Sequence, residues 1–491
     1  MDEMNPVQTD PGTTVSADKG FFGHPRLLAN LFTVEMWERF SFYGMQGILA
    51  YYMYYTATDG GLGLDKALAL SLVGAYGGGV YLSTILGAWL ADRLLGSERV
   101  LFYSACVIMA GHVALALLPG VVGLVIGLIL VAFGSGGLKA NATALVGTLY
   151  SEKDDRRDAG FSLFYMGVNL GGLLGPLVTG FLQSKAGFHW GFGAAAVGMA
   201  LGLVVYSLKR KAMPESAHHV ANPLAAGERK KYALIFGAVV VLIVSLLLTR
   251  LVTAQNLATW MAYLAIGASV AYFLILLGSS KTQPVERKRV FAFIPLYIAS
   301  AAFWALFQQQ FTFIAVYSDE KLDRHLFGWE MPAAWVQSIN PVFIVIFAGV
   351  LAALWTRLGE KQPSSPVKFS LGLVLMGLAF LAFIPLAGSG QTPLLALVGI
   401  LLLFTLAELC LSPIGLSVST KLAPAAFQAQ MVALFFLSVS LGTTLAGILA
   451  GYYDPSNELP YFLGVGSVAV VLGLALLCGA PAIRKLMSGV R

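Results

Sequence analysis

Apolar residues in this chain fall into long runs separated by short polar, glycine- or proline-bearing turns. About 20 apolar residues in a helix cross a bilayer core, and runs of that length recur from end to end. Fourteen spans are predicted, near 28–55, 68–94, 99–118, 121–150, 157–183, 189–210, 231–249, 257–279, 290–317, 333–357, 367–387, 392–421, 426–452 and 460–483. A transmembrane β-barrel needs short segments of alternating polarity, and these are missing. The expected fold class is an all-α polytopic membrane protein with 14 transmembrane helices.

Charge placement sharpens this picture. With both termini in the cytoplasm, 24 of the 31 Lys and Arg fall inside, among them Arg93, Arg99, Lys153 and the clusters at 209–211, 229–231 and 287–289. Only Lys66, Lys185, Arg250, Lys321 and Arg324 fall outside, while Arg39 and Lys139 remain within spans. A wrong span count would scramble that asymmetry, so the positive-inside rule supports both count and orientation. The expected location is the cell (inner or plasma) membrane, multi-pass, with both termini cytoplasmic.

The spans group as six, two and six. Residues 1–27 read as a disordered cytoplasmic tail, 28–212 as one six-helix bundle, and 289–491 as the other with a short cytoplasmic tail. Residues 213–288 form a linker carrying two plain apolar helices, expected to be a lateral appendage. Two six-helix halves around a central site are the major facilitator arrangement, with access by rocking of the halves.

Composition excludes other classes. Hydrophobic residues make up 57% and charged residues 11%, against roughly 25% charged in soluble domains. Cys106, Cys410 and Cys478 all lie in apolar segments, which gives no disulfide framework, and the scattered histidines offer no metal spacing. The polar N-terminus lacks the charge and cleavage pattern of a signal peptide. The net charge of +6 follows from topology and does not indicate nucleic-acid binding. No nucleophile–base set appears, and Ser412 has no histidine near it in sequence, so an enzyme is not expected.

Five charges fall within spans: Glu35, Glu38, Arg39, Lys139 and Glu408. Residues 35, 38, 39, 42, 43 and 46 follow i, i+3, i+4, i+7, i+8, i+11 and share one helical stripe. Ions at membrane depth are costly and usually mark a substrate or ion path. The alternative is a static buried ion pair that fixes helix register. The five sum to −1, so internal pairing leaves about one carboxylate able to hold a proton. Lys139 alternating between that carboxylate and a substrate anion would couple protonation to binding. Asp92-Arg93, at a helix end between Gly87 and Gly96, suits an ionic latch or a plain satisfied charge pair. Asn169, one turn after Tyr165, suits either a peptide backbone or an interhelical hydrogen bond. Gln308-Gln309-Gln310, Asn340-Pro341 and Glu408 with Ser412 supply polar groups in the second half. A cation on one wall of a cavity and an anion across from it would suit a zwitterion.

The run Glu-x-x-Glu-Arg-Phe-x-x-Tyr-Gly at 35–44, with Asp92-Arg93, Lys139, 165–176, Phe303-Trp304, Asn340-Pro341 and 408–417, resembles the proton-dependent oligopeptide transporter family of the major facilitator superfamily. The resemblance covers roughly 25–486, including the inserted helix pair of bacterial members. It implies that Glu35, Glu38, Arg39 and Lys139 serve proton coupling and the substrate carboxylate. It also implies that Tyr43, Tyr76 and Asn169 contact the peptide, and that Asn340 and Glu408 receive its N-terminus. Gln46, Gln308, Ser412 and Phe435 complete the expected substrate-binding set, and Asp92 and Arg93 the gate. Four positions depart from the family pattern. Gln46 stands where Arg is common and Phe42 where Tyr is common. Gln308 stands where many bacterial members have Glu, and Phe435-Phe436 replaces the usual Trp-Phe. An amide does not titrate, so coupling is expected to shift onto Glu35, Glu38 and Lys139. The resulting expectation is a monomeric proton-coupled symporter of di- and tripeptides in membrane lipid, driven by the proton gradient without cofactor or metal. The alternative is a transporter of another small anion or zwitterion, such as nitrate or an amino acid derivative.

Overall fold

The computed structural model describes residues 20–490 apart from 152, 153, 155 and 389. The expected tail therefore lies outside the described residues as far as residue 19, as do Lys153 and Arg491. Helices of eight residues or more are α1 (Arg26–Tyr54), α2 (Lys66–Leu90), α3 (Ser97–Leu117), α4 (Gly120–Thr148), α5 (Arg157–Ala186), α6 (Phe188–Lys209), α7 (Ala226–Leu248) and α8 (Leu257–Gly278). They continue with α9 (Pro284–Phe307), α10 (Phe313–Glu320), α11 (Ile339–Leu358), α12 (Ser365–Leu381), α13 (Leu394–Lys421), α14 (Gln428–Ala450) and α15 (Leu459–Leu486). Because α9 and α10 are two parts of one broken span, these helices build the fourteen expected crossings. Among the described residues thirteen spans are long and apolar enough by length and composition alone, and α1, which carries Glu35, Glu38 and Arg39, is the other.

The expected continuous span at 290–317 is interrupted. Residues Gln308–Phe311 form a tight 3-10 turn, and Thr312 leaves helical geometry at φ −124°, ψ −90°. The Gln309 amide explains the break, because its Nε2 donates to Ala305 O at 3.2 Å and satisfies a carbonyl of the helical ladder. Its Oε1 accepts from Tyr461 Oη. A side chain inserted into the ladder is a recognised cause of such kinks.

By its internal packing the chain divides into two compact units. The first holds residues 1–45, 83–175 and 192–242, and the second holds 46–82, 176–191 and 243–491.

In the first unit α2, α3 and α4 meet on glycines. A Cβ on Gly87 would lie 2.4 Å from Gly137 Cα, and one on Gly136 would lie 1.9 Å from Ser83 Oγ. Only glycine permits this approach. The fully buried Glu98 accepts from Arg210 at 2.7 and 2.9 Å and from Tyr206 Oη at 3.3 Å. The guanidinium of Arg210 also stacks 3.6 Å above the Phe102 ring, so this acid at the start of α3 is neutralised by the end of α6.

In the second unit, α9 and α8 pack on α14, and α12 packs on α13 and α15. The C-terminal end of α1 is tied to α10, where Tyr54 and Tyr55 donate to the two oxygens of Asp319 at 2.8 and 2.7 Å. Lys66 pairs with Glu320. Gly74 lies against Gly447, and Ser440 Oγ donates to Gly78 O at 2.8 Å. Two-residue strands at Leu322–Asp323, His325–Leu326, Trp329–Glu330 and Thr392–Pro393 pair in the connecting loops.

The most apolar stretch of α7 has none of its residues buried, as a lipid-facing helix should, and that of α8 has 22%.

Candidate functional site

In the first unit the α1 stripe is built as an ion cluster. Its spacing puts Glu35 and Arg39 one turn apart, and Arg39 reaches Glu35 Oε1 with Nη2 at 2.7 Å and Nε at 2.8 Å. Arg39 Nε also lies 3.2 Å from Glu38 Oε2. All three side chains are buried. Ions taken out of water must be paired and hydrogen-bonded, and the pairing is incomplete. Among the described residues Glu35 Oε2 and Arg39 Nη1 are buried without a hydrogen-bond partner. The other Glu38 oxygen, Oε1, accepts from Ser135 Oγ on α4 at 3.1 Å. One turn further along α4, the half-buried Lys139 holds its ammonium 5.7 Å from the Phe42 ring centroid, within electrostatic reach of Glu38, Glu35 and Arg39. Glu35, Glu38, Arg39 and Lys139 therefore come together. Tyr43 is half-buried beside Phe42, the rings 5.4 Å apart. Asn169 is buried on α5, where its Nδ2 donates to Tyr165 O at 2.9 Å within the same helix.

The second unit holds a different cluster. Asn340, in the first turn of α11, donates from Nδ2 to Thr405 Oγ1 at 3.0 Å and to Glu408 Oε2 at 3.3 Å on α13. The preceding 3-10 turn, Ala333–Ser338, leads the chain into α11 and sets Asn340 at the helix start. Ser412 is half-buried one turn beyond Glu408. Phe435 is buried with its ring on Gly415, where a Cβ would lie 2.4 Å from Phe435 Cε2. Gln46, Tyr76 and Gln308 are buried in this unit as well. Asn340 and Glu408 thus come into contact.

Asp92 and Arg93 lie in a π-helical turn, Ala91–Leu95, at the end of α2. Arg93 Nη2 bonds Glu228 Oε2 at 3.0 Å on α7. The carbonyls of Asp92 and Arg93 accept from Asn222 N and Leu224 N at 2.9 and 3.2 Å. The Asp92-Arg93 turn is therefore bonded to the inserted segment.

Sequence reasoning passed over several polar residues. Ser135 was hidden in a glycine-rich run that reads as packing. The buried pairing of Glu98 depends on Arg210, and that of Asp319 on Tyr54 and Tyr55, all far away in sequence. No local signal marks such partners, although an acid opening an apolar run was a hint for Glu98. Among the described residues no three His, Cys, Asp or Glu side chains gather to hold a metal ion.

Comparison with known proteins completes this picture. Residues 98–461 match the model of the POT family. The chain is 45% identical to the uncharacterized transporter YclF of Bacillus subtilis (strain 168), covering 96% of this chain and 97% of that one. It is 40% identical to the di-/tripeptide transporter of Lactococcus lactis subsp. cremoris, covering 96% and 99%. A crystal structure of a peptide transporter POT with a glutamate-to-glutamine substitution, in complex with alafosfalin, superposes with a TM-score of 0.93 at 47% identity, covering 98% of this chain and 100% of that one. A POT family transporter in complex with 5-aminolevulinic acid gives 0.92 at 39% identity, covering 96% and 100%. These relatives are transporters and not enzymes, and the family match spans most of the chain. This multi-pass membrane protein belongs to the POT family.

Proposed function

We propose that this protein imports di- and tripeptides together with protons by alternating access, as a monomer in the cell membrane with both termini in the cytoplasm. The residues about 28–212 and 289–486 act as the two halves of the transporter, and the inserted helix pair stays outside the pathway. The observation that carries the reading is the buried Glu35–Arg39–Glu38 cluster with Lys139 beside it. Two carboxylates share one guanidinium there, and a second cation lies within reach.

Protonation of Glu35 or Glu38 releases Lys139 to hold the peptide carboxylate. Loss of the proton restores the internal pairing and weakens that hold. Tyr43, Tyr76 and Asn169 contact the peptide, and the Asn340–Glu408 pair receives its amino group. Gln46, Gln308, Ser412 and Phe435 shape the remaining surface, and Asp92 and Arg93 act in gating. The proton gradient is the driving force, and each net charge carried inward gains about 2.3 kcal/mol per 100 mV. No cofactor takes part.

A second reading, a carrier of another small anion or zwitterion, is favoured by one observation. Gln46 and Gln308 are uncharged, so neither can clamp a peptide carboxylate or titrate. Uptake of labelled dialanine into proteoliposomes under an imposed proton gradient tests the first reading. Competition by a peptide panel, but not by single amino acids or nitrate, is the expected outcome. Competition by nitrate or an amino acid derivative, with peptides inert, would overturn it in favour of the second.

A further inference from the structure

The glycine platform of α2, α3 and α4 has a consequence for the ion cluster. Residues 134–137 read Gly-Ser-Gly-Gly, and the glycines face two neighbouring helices at once. A Cβ on Gly134 would lie 2.6 Å from Ile108 Cγ1 and 2.8 Å from Ser104 O on α3. One on Gly136 would lie 2.5 Å from the Ser83 carbonyl carbon on α2. Cross-links fix the register, since Ser83 Oγ donates to Ala132 O at 2.6 Å and Asn141 Nδ2 to Gly87 O at 3.3 Å. This stretch of α4 cannot slide or rotate without breaking contacts on both sides, because packed cores deform little. Between the glycines stands Ser135, wholly buried, its hydroxyl aimed at Glu38 Oε1 at 3.1 Å.

We propose that Ser135 is a positioning residue for proton coupling, holding Glu38 so that its proton can pass between the carboxylate cluster and the Lys139 side of α4. The proposal rests on the transport reading above. Three features carry it. Ser135 and Lys139 are four residues apart on one helix, so a single rigid element presents both to Glu38. A hydroxyl can donate to a carboxylate and accept from a carboxylic acid, so the contact survives both protonation states of Glu38. An alanine serves neither state, and an amide is too large for the space the glycines define. Ser135 touches no substrate and carries no proton of its own in this role. It acts through Glu38.

The test uses the full chain in proteoliposomes with two readouts. One is dipeptide accumulation driven by a proton gradient, and the other is counterflow of labelled dipeptide without a gradient. Ser135→Ala is expected to lower driven uptake about tenfold, the weight of one hydrogen bond to a charged group, while counterflow stays within about twofold. Ser135→Thr, which keeps the hydroxyl, is expected to restore driven uptake. Equal losses in both readouts, or no loss in either, would overturn the positioning role. So would failure of the threonine variant when its counterflow is intact. Wild-type chain that accumulates no dipeptide under a gradient would instead overturn the transport reading, and the role of Ser135 with it.

Discussion

Two buried polar clusters, one in each unit, satisfy the same constraint by different chemistry. In the first unit the residues are ions, with Arg39 held between Glu35 and Glu38 and Lys139 nearby. In the second, the neutral Asn340 and Thr405 meet the acid Glu408, and the amides Gln308, Gln309 and Gln310 are buried elsewhere in the unit. Coulomb energy in a low-dielectric site makes ions sensitive to the loss of any partner. Amides and hydroxyls exchange partners at a cost of about 1 kcal/mol each. Under the proposed function the difference would separate two tasks, steep ionic energetics for proton coupling and a tolerant neutral site for varied substrates.

Removing Arg39 should break the comparison most severely. Arg39→Ala leaves two buried carboxylates without their shared cation, a destabilisation of about 3–5 kcal/mol. The expected result is lost uptake and a clear fall in thermal stability in detergent, and a variant of wild-type stability would show that the cluster is not held by that pairing. Glu38→Gln keeps the shape and removes titration. Driven accumulation should fall more than about tenfold with counterflow retained, and persistence of driven uptake would move coupling elsewhere.

Glu408→Gln tests the neutral side. If Glu408 receives the peptide amino group as proposed, losing that charge-assisted contact should raise the half-saturating peptide concentration about tenfold, with less effect on gradient dependence. Gln308→Glu runs the comparison in reverse by adding a second buried titratable group to the second unit. The ratio of uptake in acid to uptake at neutral pH is expected to rise about two- to threefold. The smallest effect lies away from both clusters. Tyr54→Phe with Tyr55→Phe removes both donors to Asp319, about 1 kcal/mol each, and should speed cysteine labelling introduced beside Asp319 without altering coupling.

Much of the architecture was readable because membrane helices carry their evidence locally. Each span must be apolar for its own length, so the boundaries near 97–117, 120–148 and 257–278 follow from composition in the immediate neighbourhood. The α1 cluster was readable for the same reason. Glu35 and Arg39 are partners one turn apart on a single helix, and periodicity alone brings them together.

Partnerships over longer distances were not readable. The interruption at Gln308–Thr312 depends on Tyr461 and Ala305 dividing one amide between them, while glutamine by propensity favours a continuous helix. Glu98 at the start of a helix could have faced water, and it is buried because Arg210 and Tyr206 arrive from α6. Ser135 could have been a small packing residue until α2 and α3 closed on its flanking glycines and turned its hydroxyl onto Glu38.

The sequence alone determined which segments enter the membrane and which charges enter with them, since transfer free energy is a property of the segment. Tertiary structure decided what those charges touch, since hydrogen bonds and ion pairs act over a few ångströms between helices far apart in the chain, as with Glu38 and Ser135, 97 residues apart. The α1 stripe belongs to both levels. Its internal pairing was written locally, and its contacts to Ser135 and Lys139 came only with the packing of α4.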